Sequence, residues 1–389
     1  MKIANRMDRL SESITIAITT LSRELKESGK DVLSFSAGEP DFGTPQVIKN
    51  AAIKALENDD TKYTAVEGTP ACRKAIVGKL KRDNGLDYDV SEVIVSVGAK
   101  HSLFNIFQAG IEEGDEVIIP APYWVTYPEL VKYSGGKVVE IITTDKSSFK
   151  ITPEQLKNAI TPKSKMLVLT TPSNPTGSVY TKEELTALAD VLKDTNITVI
   201  SDEMYEKLVY DGSSFTAVAS INDDMLARTV TVNGLSKSVA MTGWRFGYLA
   251  SKDKDFVKAM KKLQSQSTSN INSITQAAAI VALDGDADSD IETMRVEFEK
   301  RRDIACELMN EIDGLSVDKP NGAFYLFVNI QDITNDSMTF SKDLLEEVGV
   351  AVVPGVAFGL DGYFRLSFAT DEATIRDGIA RIKKFVESK

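Results

Sequence analysis

Between residues 92 and 250 the chain repeats one local pattern, a short apolar β-branched run followed by a stretch with helical spacing. The runs cover residues 92–97, 116–119, 137–142, 166–170, 197–201, 229–232 and 244–250, and helical segments at 100–111, 153–160 and 182–193 lie between several of them. Short runs that stay apolar, instead of alternating with polar residues, belong to strands buried on both faces. Parallel neighbours need a long crossover, and a helix supplies it. The pattern predicts an α/β fold, a mostly parallel sheet covered by helices on both faces. Ligands on such sheets bind beyond the carboxyl ends of the strands.

The flanks differ. Residues 13–28 read as an amphipathic opening helix, and residues 32–36 as an extended segment before a Gly- and Pro-containing loop. Thr44-Pro45 and Thr69-Pro70 each place a capping hydroxyl before a proline suited to the first helical position. After residue 255 come a long helical region to about 312, interrupted by polar residues 264–270, then strand signals at 323–328, 350–353 and 363–368, and a helix from Asp371. The expected division is a large α/β domain over 46–285 and a smaller, discontinuous α+β domain made of 1–45 plus 286–389.

A formal charge of −12 argues against a nucleic-acid or anionic-membrane partner, though not against a small anionic substrate in a locally positive pocket. Cys72 and Cys306 are too few for a zinc site or a disulfide framework and read as reduced thiols. His101 is the only histidine, so no metal site is expected. Residues 1–20 carry Arg6, Asp8, Arg9 and Glu12 and no apolar core, and no run is long enough to span a bilayer. A cytoplasmic protein is expected, and the sequons at Asn196 and Asn335 are then chance matches. No Gly-x-Gly-x-x-Gly follows a strand, and there is no P-loop.

The candidate chemistry falls at strand ends. Lys237 lies between the runs 229–232 and 244–250, among small residues and serines, with Arg245 beyond it. Small neighbours leave room for a bulky group on the amine, and hydroxyls with an arginine suit an anion. We read Lys237 as carrying pyridoxal phosphate (PLP) as a Schiff base, although a lysine taken alone is usually a solvated surface residue. Asp202 ends an apolar run; it is either an ordinary loop cap or the partner of a protonated pyridine nitrogen. Tyr205 either packs or bonds the cofactor's phenolate oxygen. Asn174, in Ser173-Asn174-Pro175-Thr176-Gly177, is turn punctuation or a donor to that same oxygen. Gly98, Ala99 and Lys100 join a strand to a helix, where free N–H groups attract phosphate, and Ser236 and Arg245 could supply further donors. Trp124 is core packing or a face stacked on the ring. Arg365, inside an apolar run, wants a carboxylate, from either the protein or a substrate.

Five stretches, in this order along essentially the whole chain, carry a resemblance: Ala37-Gly38-Glu39-Pro40-Asp41, Ser173-Asn174-Pro175-Thr176-Gly177, Ser201-Asp202-Glu203-Met204-Tyr205, Ser236-Lys237 with Gly243-Trp244-Arg245, and Phe364-Arg365-Leu366-Ser367. The chain resembles the class I aminotransferases of PLP fold type I, in the aspartate aminotransferase group. The resemblance implies that Lys237 holds the cofactor, Asp202 its pyridinium, and Asn174 and Tyr205 its ring oxygen, with Trp124 stacked on the ring. Gly98, Ala99, Lys100, Ser236 and Arg245 would line the phosphate end, and Gly38, Trp124, Asn174 and Arg365 the substrate. Tyr63 is similar to a tyrosine that reaches a neighbouring subunit's phosphate, which implies a homodimer with shared active sites. The implied reaction is a ping-pong exchange of an amino group between amino acids and 2-oxo acids, with a neutral Lys237 taking the α-proton. In one branch of the family a lysine at the Lys100 position is associated with the distal carboxylate of aspartate or glutamate, and Thr15 is similar to a residue that closes over it. That branch includes enzymes that also aminate prephenate. Phe246 stands where a smaller aliphatic residue is more usual, with local repacking as the expected result. The alternatives on the same scaffold are transamination of aromatic or neutral amino acids and a carbon–sulfur β-lyase.

Overall fold

The computed structural model describes residues 1–12 and 14–389, with the Thr15 side chain also outside the described residues. Helix α1 (Ile14–Glu27) and the two-residue strand β1 (Leu33–Ser34) come first, followed by α2 (Gln46–Glu57) and α3 (Pro70–Asn84). Then strands and helices alternate: β2 (Val93–Val97), α4 (Ala99–Gly110), β3 (Glu116–Ala121), α5 (Thr126–Tyr133), β4 (Lys137–Ile142), α6 (Pro153–Ala159), β5 (Ser164–Thr170), α7 (Lys182–Leu192), β6 (Thr198–Asp202), α8 (Asp223–Arg228), β7 (Thr229–Gly234) and β8 (Phe246–Ser251). Three helices follow, α9 (Lys254–Ser265), α10 (Ser273–Asp284) and α11 (Asp288–Asn310). The tail holds β9 (Tyr325–Asn329), α12 (Ser337–Val348), β10 (Val350–Ala351), β11 (Val353–Pro354), β12 (Tyr363–Ser367) and α13 (Glu372–Val386).

The helices start where side chains can satisfy their free N–H groups. Thr69 accepts from Cys72 N ahead of Pro70, and Thr152 with Gln155 and Thr181 with Glu184 form capping boxes. Thr44 does not cap α2, contrary to the sequence reading. Pro45 takes the cap position without a side-chain bond. The Thr44 hydroxyl instead donates to Ala240 O at 2.7 Å and accepts from Trp244 Nε1 at 3.1 Å.

Strands β2 to β8 form one seven-stranded sheet in the order β2-β8-β7-β6-β5-β3-β4. Its pairs are parallel except those of β8, which runs antiparallel to both β2 and β7. Most of its strands feed two cores. In β5, Met166 and Val168 pack with α4, α5 and α9, while Leu167 and Leu169 pack with α6 and α7. Near the other edge Val93, Val95, Phe246 and Tyr248 meet α2, α3 and α10. This two-sided burial is why the runs are continuously apolar. Phe246 is accommodated fully buried in that last core.

In the tail α11, α12 and α13 cover the antiparallel sheet β11-β12-β9 with Phe298, Phe324, Leu326, Phe340, Phe364 and Ile375, and Phe35, Tyr205, Leu208 and Tyr210 join the same core. The run 350–353 is not one strand as the sequence suggested. It splits into β10, which pairs with β1, and β11, which pairs with β12. The run 244–250 likewise starts later, at Phe246, because Arg245 has a positive φ of 57° that no strand residue adopts. None of the described helices is long and apolar enough to cross a membrane.

Candidate active site

The carboxyl ends of β2, β5, β6 and β7 share one rim. Because β8 runs the opposite way, its amino end and Arg245 arrive at that rim too. A cavity of about 780 Å³ opens there. It is lined by Gly38, Ala99, Lys100, Trp124, Asn174, Asp202, Tyr205, Ser236, Lys237, Arg245 and Arg365, so residues far apart in sequence converge on one space. Gly98 lies just behind, under the Arg245 guanidinium. Tyr63 does not line the cavity and is 92% exposed. Thr15 lies in α1 with its side chain outside the described residues.

Lys237 follows β7, and Asp202 is the last residue of the adjacent β6. The Lys237 ammonium donates to Gly38 O. Burial lowers its pKa to about 8, helped by Arg365 and Arg245 and opposed by the carboxylates of Glu39 and Asp202. Asp202 accepts from the Tyr127 hydroxyl at 2.7 Å and from Met204 N at 3.3 Å. Burial raises its pKa, and these hydrogen bonds together with Lys237 partly offset that. The cavity therefore presents an amine that loses its proton more readily than an ordinary lysine and, beyond it, a buried carboxylate whose pKa burial holds up.

At one end the start of α4 points free N–H groups inward, with Lys100, Ser236 and Arg245 around it. Two glycines make this close approach possible. A Cβ on Gly98 would stand 2.5 Å from Arg245 Nη2, and one on Gly247 would stand 2.2 Å from Ala99 N. At the other end Arg365 is fully buried. It donates to Asn174 Oδ1 and to Ser36 O, each at 2.8 Å, and its guanidinium lies 4.4 Å from the Tyr325 ring. Its Nε has no hydrogen-bond partner among the described residues. Lys100 Nζ lies 4.9 Å over the Trp124 ring, and burial, then Arg245, lowers its pKa.

This donor set fits pyridoxal phosphate: an anion cradle, an amine, a buried acid and an aromatic face line one cavity. The Tyr205 hydroxyl, read as a cofactor donor, pairs here with the Tyr325 hydroxyl at 2.7 Å. Sequence reasoning missed Tyr127 and Tyr325. Tyr127 carries a weak signal, three residues past Trp124 at the start of a helix; Tyr325 carries none. Among the described residues no group of three or more His, Cys, Asp or Glu side chains could hold a metal ion.

Glu203, next to Asp202, was also missed and does not line the cavity. Its Oε1 accepts from Ser201 Oγ at 2.9 Å and Val218 N at 3.1 Å, while Oε2 has no hydrogen-bond partner among the described residues. Burial, then the Glu206 carboxylate, pushes its pKa up to about 8. A carboxyl whose folded pKa exceeds its unfolded value stabilises the fold at low pH, and that contribution is lost as pH rises through the folded value. Glu203→Gln should therefore flatten the fall in Tm between about pH 5 and pH 8. Parallel Tm curves for the two proteins would refute the assignment.

A family model described as aminotransferase class I and II matches residues 30–382. The aspartate aminotransferase of Geobacillus stearothermophilus is 48% identical over the full length of both chains. The aspartate/prephenate aminotransferase of Cereibacter sphaeroides is 45% identical, covering 98% of each chain. Among solved structures, the aspartate aminotransferase of Thermus thermophilus with maleate superposes with a TM-score of 0.95 at 41% identity, covering 99% of both chains.

Proposed function

Because this chain belongs to the class I and II aminotransferases and is a transaminase, we propose that it moves the amino group of aspartate or glutamate to a 2-oxo acid such as 2-oxoglutarate, with pyridoxal 5′-phosphate held at Lys237. One observation carries the substrate reading: two separate cations, Arg365 and Lys100, line the same cavity as Lys237. A dicarboxylate has an anion for each.

When bound, the cofactor supplies an aldehyde carbon that takes up the amino group and a ring that accepts the electron pair left at the substrate's α-carbon. The N–H groups of Ala99 and Lys100 at the start of α4, with Ser236 and Arg245, would hold its phosphate, and Gly98 leaves room for that approach. Asp202, kept in place by Tyr127 and Met204 N, pairs with the protonated ring nitrogen. Asn174 and Tyr205 serve the ring oxygen, and Trp124 covers the ring face. Arg365 anchors the substrate α-carboxylate beside Gly38, which presents the α-hydrogen to Lys237. Lys237 Nζ, neutral, removes that proton as general base. The amino acid and then the 2-oxo acid use the same cavity in turn, which gives ping-pong kinetics.

Tyr63 extends from the chain and, in this reading, reaches the phosphate of a second copy in a homodimer with shared sites. The division into 46–285 and 1–45 plus 286–389 follows the sheets: β2 to β8 lie in the first part, and β1 and β9 to β12 lie in the second. Both cysteines are buried and unpaired, with thiols pushed up to about 12 by burial, which suits a reducing cytoplasm.

The purified protein should form oxaloacetate and glutamate from aspartate and 2-oxoglutarate. Pyruvate and ammonia from cystathionine would indicate the β-lyase instead. Prephenate belongs in the acceptor panel, because a relative 45% identical is named an aspartate/prephenate aminotransferase. Lys100→Ala should lower kcat/KM for aspartate by about 10- to 100-fold, the value of a charge-assisted contact, and change activity on an uncharged amino acid far less. Equal losses on both would remove the basis for acidic specificity.

A further inference from the structure

The segment 36–44 touches Arg365 and Lys237 in the cavity, and helix α11 grips its far side. Toward the cavity, Ser36 O accepts from Arg365 Nη2 at 2.8 Å and Gly38 O accepts from Lys237 Nζ. Gly38 fits tightly, since a Cβ there would stand 2.7 Å from the Tyr325 hydroxyl oxygen. The loop that carries Lys237 holds the same segment, with Thr242 Oγ1 donating to Glu39 Oε2 at 2.8 Å. On the other side Arg301 of α11, itself buried, donates from Nη1 to Asp41 Oδ1 at 2.8 Å and from Nε to Glu297 Oε1 at 2.9 Å. Its guanidinium lies 5.2 Å from the Phe42 ring and 5.7 Å from the Phe298 ring, and those two rings meet edge to face at 5.3 Å.

Beyond β1 this segment has no strand partner, and Asp41 and Gly43 are exposed. A loop with so few ladder bonds is positioned by its side-chain anchors. Arg301 is the charged anchor on the α11 side, and it does not line the catalytic cavity.

We propose that Arg301 is a positioning residue for substrate binding: by clamping Asp41 and Phe42 onto α11, it sets the Ser36 and Gly38 carbonyls that orient Arg365 and Lys237. The proposal rests on the transaminase reading above. Its effect falls on the α-carboxylate end, which every amino acid shares, and not on the Lys100 end, which distinguishes them. Lysine is a partial substitute only. It can pair with Asp41, but a point charge cannot also keep the bond to Glu297 and the contacts with both rings that the larger guanidinium makes.

The test uses the cofactor-loaded enzyme and its Arg301→Met, Arg301→Lys and Asp41→Asn variants, assayed with aspartate, glutamate and one uncharged donor. Arg301→Met should raise KM about tenfold for all three donors by a common factor, with a smaller change in kcat. Asp41→Asn should approach it, and Arg301→Lys should fall between it and the parent. A second readout needs no turnover: the rate at which an amine-directed reagent labels Lys237 in the cofactor-free chain. Loss of the Gly38 carbonyl and Glu39 carboxylate leaves the ammonium less stabilised, so labelling at pH 7 should rise about threefold, equal to half a pKa unit. Unchanged KM values and unchanged labelling, with only Tm lowered, would overturn the proposal and leave Arg301 a structural ion pair. A parent enzyme that fails to transaminate would sink the functional reading instead, and the labelling rates would still judge the clamp.

Discussion

Lys237→Ala should abolish transamination, lowering kcat/KM by at least about 10⁴-fold, while the chain stays folded. The fold does not depend on this amine. Its hydrogen bond goes to one backbone carbonyl, Gly38 O, at the rim of a cavity. Its pKa is depressed to about 8 in the folded chain, so folding disfavours its charged form. In the cofactor-free protein that penalty is present below pH 8 and disappears as pH rises toward the ordinary lysine value. The alanine variant should therefore melt no lower than the parent at pH 7. Lys237→Arg separates the two roles the amine could have. Arginine keeps the positive charge but cannot give up its proton near neutrality, so it should be as inactive as alanine. Small exogenous amines should restore part of the alanine variant's activity and none of the arginine variant's. An alanine variant within tenfold of the parent would end the assignment of Lys237 as the base.

Asp202→Asn should lower kcat by about 10²- to 10³-fold, the cost of removing one partner from a buried charge pair. The substitution preserves shape, and the amide oxygen can still accept from Tyr127, so little else moves. What disappears, in the proposed reading, is the negative charge that would face the ring nitrogen of the bound cofactor, and with it the stabilisation of charge that develops during proton removal. Stability again separates the catalytic role from a structural one. The folded pKa of Asp202 is raised by burial, so its ionised form is disfavoured in the cofactor-free fold. That free chain should melt at the same temperature or slightly higher with asparagine. A variant that melts well below the parent, with kcat falling only in step with the folded fraction, would make Asp202 a structural acid.

Most of the site could be read from the chain because its residues sit where the physics of a doubly covered sheet places ligands. Asp202 and Lys237 each follow an apolar run, and the carboxyl ends of neighbouring parallel strands share a rim. Arg365 stood out because a guanidinium within an apolar strand needs partners. The structure provides them as Asn174, Ser36 O and the Tyr325 ring. Less legible were residues whose role depends on a distant neighbour. Thr44 looked like a helix cap and instead bonds Ala240 and Trp244. Glu203 drew no reading of its own, and it bonds Ser201 and Val218 away from the cavity.

From its sequence alone this chain determined the alternation of strands and helices, the continuous burial of the central strands and the loops that carry the chemistry. These follow from side-chain period, backbone propensity and turn chemistry, which act over a few residues. Tertiary structure alone decided that 350–353 divides between two sheets, that Tyr127 braces Asp202, that Tyr325 meets Tyr205, and that Arg301 grips the segment carrying Gly38. Each of these is a contact between segments remote in sequence. Its existence depends on where two separately formed elements pack, and no local pattern encodes that distance.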